Sequence, residues 1–266
     1  MRVEQLGEGD PEVAVVGGIH GDEPCGVQAI ESLLDEQPPV ERPVKLVVAN
    51  EAALEAGERY LDDDLNRSFP GDPDSSSHEK RLAARLSDVL AGCETVSLHS
   101  TQSYDDMFAI VNGTGALERE VCPRLSVDAV VDAGAFDRGR LFVSLDSLVE
   151  IECGYQGSEA ATENARRVAR EFLGAVGALP AERREPRSDL PVYRLFGQVP
   201  KRQARTYEVY ASNFEHVPPG EAFAAADGEE LVAEEGFYPV LMSPYGYEEV
   251  FGYAAERLGT VGSEAT

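Results

Sequence analysis

Val13-Ala14-Val15-Val16-Gly17-Gly18-Ile19-His20-Gly21-Asp22-Glu23-Pro24 is a short β-branched apolar run that stops at two glycines and ends on a proline. Bounded by Pro11 before it and Gly17-Gly18 after it, Val13–Val16 reads as a strand buried on both faces. Proline suits the first turn of a helix, and Val27, Ile30, Leu33 and Leu34 recur behind Pro24 on one helical face. Strand, glycine turn and helix make one unit of an open α/β sheet, and such sheets receive ligands at the turn.

The same alternation continues outward. Val44–Val48 predicts a second buried strand, and Leu82, Leu86, Val89 and Leu90 a second helix. Further strands are expected near Val96–Leu98 and over Phe108–Val111, Val127–Val131 and Val149–Ile151. A long helix is expected from about Ser158 to Val176, carrying Ala160, Val168, Phe172 and Val176 on its apolar side. This pattern predicts a mixed open sheet with helices on both faces. Near residue 180 it changes. Residues 181–206 carry seven Arg or Lys against three acids, from residue 220 onward ten acids face the single Arg257, and short β-like runs replace helices. The expected division is a catalytic domain over 1–180 and a small β-rich domain over 181–266 that contributes to the substrate pocket.

Composition narrows the function classes. The 266 residues carry 49 acids against 23 Lys and Arg, a net charge of −26, and only Lys45, Lys80 and Lys201 are lysines. So acidic a chain is repelled by phosphate backbones, which excludes a nucleic-acid binder. No stretch approaches the ~20 apolar residues of a membrane span, and the polar start Met1-Arg2-Val3-Glu4 has no signal-peptide core. A cytoplasmic protein is expected. Self-repulsion at this charge is relieved by salt, which points to a salt-rich cytoplasm and a halophilic source. Cys25, Cys93, Cys122 and Cys153 are scattered, with no C-x-x-C pair, and read as free thiols.

Three segments hold residues that could carry chemistry. His20 and Glu23, three apart on the glycine turn, can converge on one metal ion; by itself the pair is a weak signal that reads more readily as a hydrogen-bonded histidine at a helix entry. A catalytic zinc takes three protein ligands. Of His78, His99 and His216, His99 is best placed, at the end of the strand around Val96–Leu98 on the sheet edge where His20 belongs, while His78 follows three serines in a loop-like stretch. The glycines fit no phosphate-binding fingerprint. The second segment runs from Glu58 to Phe69, with Arg59, Asn66 and Arg67 around Asp62, Asp63 and Asp64; charge neutralisation alone would explain it. The third is Val149-Glu150-Ile151-Glu152-Cys153-Gly154-Tyr155-Gln156, where both glutamates could be solvated or one could point into a site as a base.

Together these segments resemble the succinylglutamate desuccinylase/aspartoacylase family, relatives of the zinc carboxypeptidases, over the chain from His20 to about Tyr247. The resemblance implies one zinc per chain on His20, Glu23 and His99. The family's R-Y-x-D-x-D-L-N-R stretch matches Arg59 to Arg67; it implies Arg59 as the group that polarises the scissile carbonyl, and Asn66 and Arg67 as holders of the substrate carboxylate. Its I-E-x-G-x-Q segment matches Ile151 to Gln156 and makes Glu152 the general acid/base. Tyr238-Pro239-Val240 and Tyr247 resemble the strand and substrate-facing tyrosine of the family's second domain. The implied activity is hydrolysis of the amide bond of an N-acyl amino acid.

The sequence departs from the family at two places. Ser97 stands where the family usually has Asp, weakening a contact behind the third ligand. Phe142 stands where aspartate-specific members carry an arginine, ten residues before the base, although Arg138 and Arg140 lie nearby. An apolar Phe142 in the pocket predicts that N-acyl amino acids with neutral or apolar side chains compete with N-acetylaspartate. Two other readings stay open: a carboxypeptidase or other small-peptide amidohydrolase, and a non-catalytic zinc-binding regulatory protein.

Overall fold

The structure is a computed structural model that describes residues 1–261 apart from Thr114 and Asp137. The first half of the chain runs β1 (Arg2–Leu6), β2 (Val13–Gly17), α1 (Cys25–Glu36), β3 (Val44–Val48), α2 (Glu51–Ala56), α3 (His78–Leu90), β4 (Glu94–Thr101) and β5 (Phe108–Val111). It continues through α4 (Ala116–Val121), β6 (Val130–Asp132), β7 (Leu148–Tyr155) and α5 (Glu159–Ala175). Only strands and single turns follow: β8 (Pro191–Pro200), β9 (Tyr207–Val209), β10 (Ala222–Ala226), β11 (Glu229–Val232), β12 (Tyr238–Val240) and β13 (Val250–Thr260).

Ten strands form one mixed sheet in the order β1-β3-β2-β4-β7-β5-β6-β8-β13-β12. Its centre is parallel: β3, β2, β4 and β7 run the same way, so their C-terminal ends share one edge. Strand β2 is buried along its whole length because both faces are covered. Val13 and Val15 pack with Ile30 and Leu33 of α1 and Val168 and Phe172 of α5. Ala14 and Val16 face the other way, onto Leu82, Leu86 and Leu90 of α3. Among the described residues, no helix is long and apolar enough to cross a membrane.

The change near residue 180 is a change from helix to strand rather than a break in the sheet. Strand β8 pairs parallel with β6, and β13 and β12 extend the same sheet antiparallel. Strands β9, β10 and β11 form a separate three-stranded sheet, with an apolar cluster around Phe223, Phe237 and Phe251. Residues 262–266, the end of the expected second domain, lie outside the described residues. Two sequence expectations are corrected: His78 opens α3 instead of lying in a loop, and the strand expected over Val127–Val131 forms over Val130–Asp132.

Candidate active site

The turn after β2 is shaped by backbone contacts that leave no room for side chains. Gly18 has φ +68°, and a Cβ on Gly21 would lie 2.2 Å from the Ala53 carbonyl carbon at the start of α2. The Gly21 amide also donates to the Arg59 carbonyl at 3.1 Å, tying the turn to the second motif segment. His20 and Glu23 are thereby held over the edge where β4 ends in His99, and all three side chains are buried.

The donor atoms of His20, Glu23 and His99 lie within 4.8 Å of one another. Glu23 divides its carboxylate between the rings: Oε1 is 2.8 Å from His20 Nδ1 and Oε2 is 3.1 Å from His99 Nδ1. The far nitrogen of each ring is held from behind, His20 Nε2 by Asp64 at 3.0 Å and His99 Nε2 by the Ser97 hydroxyl at 3.0 Å. Thus serine at position 97 keeps the contact that an acid was expected to make. Burial disfavours the protonated form of His20, but Glu23 and Asp64 outweigh it and raise its pKa to about 9. Burial also works against the Glu23 carboxylate, yet His20 and His99 hold it well below the usual range. Two imidazoles and a carboxylate, buried and oriented from behind, are a donor set that fits a divalent metal such as zinc. His78 contacts Asn50 at 3.1 Å and the His216 ring packs tilted against Tyr238 with centroids 5.1 Å apart; neither joins this group.

One pocket is lined by His20, Glu23 and His99, Arg59, Asn66 and Arg67, Glu152 and Tyr247. Arg59 lies against the donor set, its Nη1 donating to Glu23 at 2.8 Å. Parallel pairing puts Glu152 beside His99 in register. Glu152 Oε2 is buried and has no hydrogen-bond partner among the described residues. Burial is the main cause that lifts its pKa to about 7; His99 opposes the rise, and Glu23 and Glu150 add to it. Glu150, two residues back on the same face of β7, is buried, and Glu152 is half-buried in the pocket wall, so neither glutamate is solvated in the way an open sheet face would allow.

Several participants were not legible in the sequence. Arg140, 5% exposed, lines the pocket and forms an ion pair with Glu150 at 3.5 Å. Phe142 packs into the core beside Leu141 and Leu145, so the apolar pocket wall expected from it is absent; Arg138 is exposed. Glu79, fully buried in the first turn of α3, accepts hydrogen bonds from the backbone amides of Leu61, Asp62 and Asp63 and from the Asn50 side chain. Burial alone would raise its pKa, but these donors hold it below the usual range. The carboxylate fastens the loop that carries Asp64, Asn66 and Arg67. The only local signal for it was a Glu in the first turn of a predicted helix, a position that usually caps the helix instead.

An open mixed sheet with a buried His-Glu-His donor set at the C-terminal ends of its central strands defines an α/β protein with a group of side chains that could hold a metal ion. Residues 9–119 match the Succinylglutamate desuccinylase/Aspartoacylase catalytic domain. The chain is 30% identical over 171 residues to the N-alpha-acetyl-L-2,4-diaminobutyric acid deacetylase of Halomonas elongata, covering 55% of this chain and 50% of that one. It therefore spans about half the length of that relative. Murine aminoacylase 3 superposes with a TM-score of 0.76 at 22% identity over 97% of this chain and 100% of that one. A succinylglutamatedesuccinylase/aspartoacylase from Rhodobacter sphaeroides does so with 0.75 at 17% over 96% and 88%. Residues 9–119 thus resemble the catalytic domain of the succinylglutamate desuccinylase/aspartoacylase family, and the chain shares the fold of these solved structures over nearly its whole length.

Proposed function

We propose that this protein is a zinc-dependent hydrolase that cleaves the amide bond of an N-acyl amino acid. The observation that carries the reading is Glu152: a buried carboxylate oxygen without a hydrogen-bond partner among the described residues, beside His99 and in the same pocket as Arg59, Arg67 and Arg140. A structural carboxylate would have its oxygens satisfied, whereas a base needs one available. The relatives whose names specify a reaction act on amides of amino acids, which supports the same class.

His20, Glu23 and His99 would hold the zinc, which when bound supplies Lewis-acid polarisation of the carbonyl and acidification of water. The remaining work falls to this chain's own side chains. Arg67 grips the substrate carboxylate, because its guanidinium can offer two parallel donors. Asn66 acts behind it: its amide donates to Glu150 at 3.2 Å and its carbonyl accepts from the Leu141 amide at 3.0 Å, fixing the pocket wall. Glu152 takes a proton from the attacking water and delivers it to the leaving amine, so one amide and one water give a carboxylic acid and an amino acid. Arg59 donates to the carbonyl oxygen as negative charge develops. Tyr247 closes the pocket on the side contributed by the C-terminal strands.

The test is to purify the protein in high salt, measure bound metal, and assay N-acyl amino acids beside C-terminal dipeptides. About one zinc per chain, with turnover of the N-acyl amino acids, is expected. Turnover of dipeptides alone would make it a carboxypeptidase, and bound zinc without hydrolysis of either class would favour a regulatory role.

A further inference from the structure

The end of the pocket away from the donor set contains two guanidinium groups in different electrostatic situations. No carboxylate lies within ion-pair distance of Arg67 among the described residues, and its Nη1 donates to the Asn66 carbonyl at 2.7 Å. Arg140 is buried, paired with Glu150 at 3.5 Å and hydrogen-bonded to the Tyr253 hydroxyl. Neither partner of that pair is free to leave. Glu150 is held through Asn66, and Arg140 sits in a turn locked to the Asn66 loop by Leu141 N to Asn66 Oδ1 (3.0 Å) and Phe69 N to Gly139 O (3.0 Å). Gly139 has φ +75°, and a Cβ there would meet the Arg67 carbonyl oxygen at 2.4 Å.

We propose that Glu150 is a specificity-determining residue: by neutralising Arg140 it makes the protein select N-acyl amino acids whose side chain is uncharged and reject those with a second carboxylate. The proposal rests on the hydrolase reading and deepens it. Arg67 serves the one carboxylate every such substrate has. A second carboxylate would need Arg140, which already has a carboxylate, and would meet the like charge of Glu150 in a space where charges are poorly screened. A side-chain amide meets no such repulsion and can donate to Glu150.

N-acetyl-L-asparagine and N-acetyl-L-aspartate are nearly isosteric and differ in this one charge. The metal-loaded wild type should favour the asparagine derivative in kcat/KM by roughly tenfold or more. Glu150→Gln should shift the ratio toward aspartate by a similar factor, and adding Arg140→Gln to that variant should cancel the shift, because the gain depends on the released guanidinium. Wild-type preference for N-acetylaspartate, or a ratio that Glu150→Gln leaves unmoved, overturns the proposal. Since Glu150→Gln leaves a buried arginine unpaired and can unfold the protein, calorimetric titration of the wild type with L-asparagine and L-aspartate supplies an independent test. Tighter binding of asparagine is expected; equal or tighter aspartate, or binding of neither, overturns the proposal. Hydrolysis of neither substrate, with asparagine still bound more tightly, would sink the hydrolase reading and leave the selectivity standing.

Discussion

The two ends of the pocket are built on different logic. At the metal end, His20 and Glu23 share one turn and His99 ends the neighbouring parallel strand, so strand direction and a glycine turn suffice to bring the three donors together. At the substrate end, Asn66, Arg140 and Glu150 come from an irregular loop, a single-turn segment and β7, and they meet through one another's hydrogen bonds. The first end depends on backbone geometry, the second on mutual pairing. Substitutions should therefore act locally at the metal end and cooperatively at the substrate end.

The largest effect is expected from His99→Ala. Removing one of three donors should abolish stoichiometric metal binding, and losing several kcal/mol of charge stabilisation corresponds to roughly a thousandfold or more in rate. Metal analysis and turnover check it together; full metal content with full activity would remove His99 from the donor set. Next is Glu152→Gln, which keeps the shape but cannot take a proton. Metal should be retained while kcat drops by ~10²-fold or more. Because Glu152 must be ionised to act as a base, wild-type kcat/KM should fall as pH drops through its pKa of about 7, and a bound cation can only move that limb to lower pH. The acid limb should vanish in Glu152→Gln; if it persists, another group titrates there.

Ser97→Ala sharpens the contrast from behind the metal. It removes the hydroxyl that orients His99 and should weaken metal affinity by roughly tenfold without altering the asparagine-to-aspartate ratio. A changed ratio would show that the two ends are coupled after all. Salt should produce the smallest effect on the site. Screening lengths shrink from about 10 Å at 0.1 M to about 3 Å at 1 M, which relieves surface repulsion but hardly reaches buried pairs. The melting temperature should rise by several degrees between 0.1 and 3 M salt while the substrate ratio stays constant. A melting temperature independent of salt would end the halophilic reading.

The same contrast explains what could be read from the residues alone. Apolar runs such as Val13–Val16 and Val44–Val48 identify central strands because burial on both faces leaves no polar position to confuse the pattern. Strand β1 carries the polar sequence Arg-Val-Glu-Gln-Leu on an exposed sheet edge, and β13 is interrupted by Gly252 and Gly259, so neither showed the alternation that marks a strand. The donor set was legible because its spacing is local or lies at a strand end. Phe142 and Arg140 were not, because counting ten residues back from Glu152 says nothing about which way side chains leave a 3₁₀ turn; Phe142 turned to the core and Arg140 to the pocket. Glu150 and Glu152 were both visible, but whether they faced water or the pocket depended on the loops that cover the strand edge.

Glu79 has a consequence for how tightly ligands can bind. With three consecutive backbone amides of the Leu61–Asp63 loop already gathered on one buried carboxylate, the segment leading to Arg67 is ordered before anything arrives. Association then need not freeze that chain, a conformational entropy loss of about 1–2 kcal/mol for each residue that would otherwise be disordered. Hydrogen exchange would register this directly. The amides of Leu61, Asp62 and Asp63 should exchange slowly in the ligand-free protein despite lying in a loop, and rapidly once Glu79 is replaced by alanine.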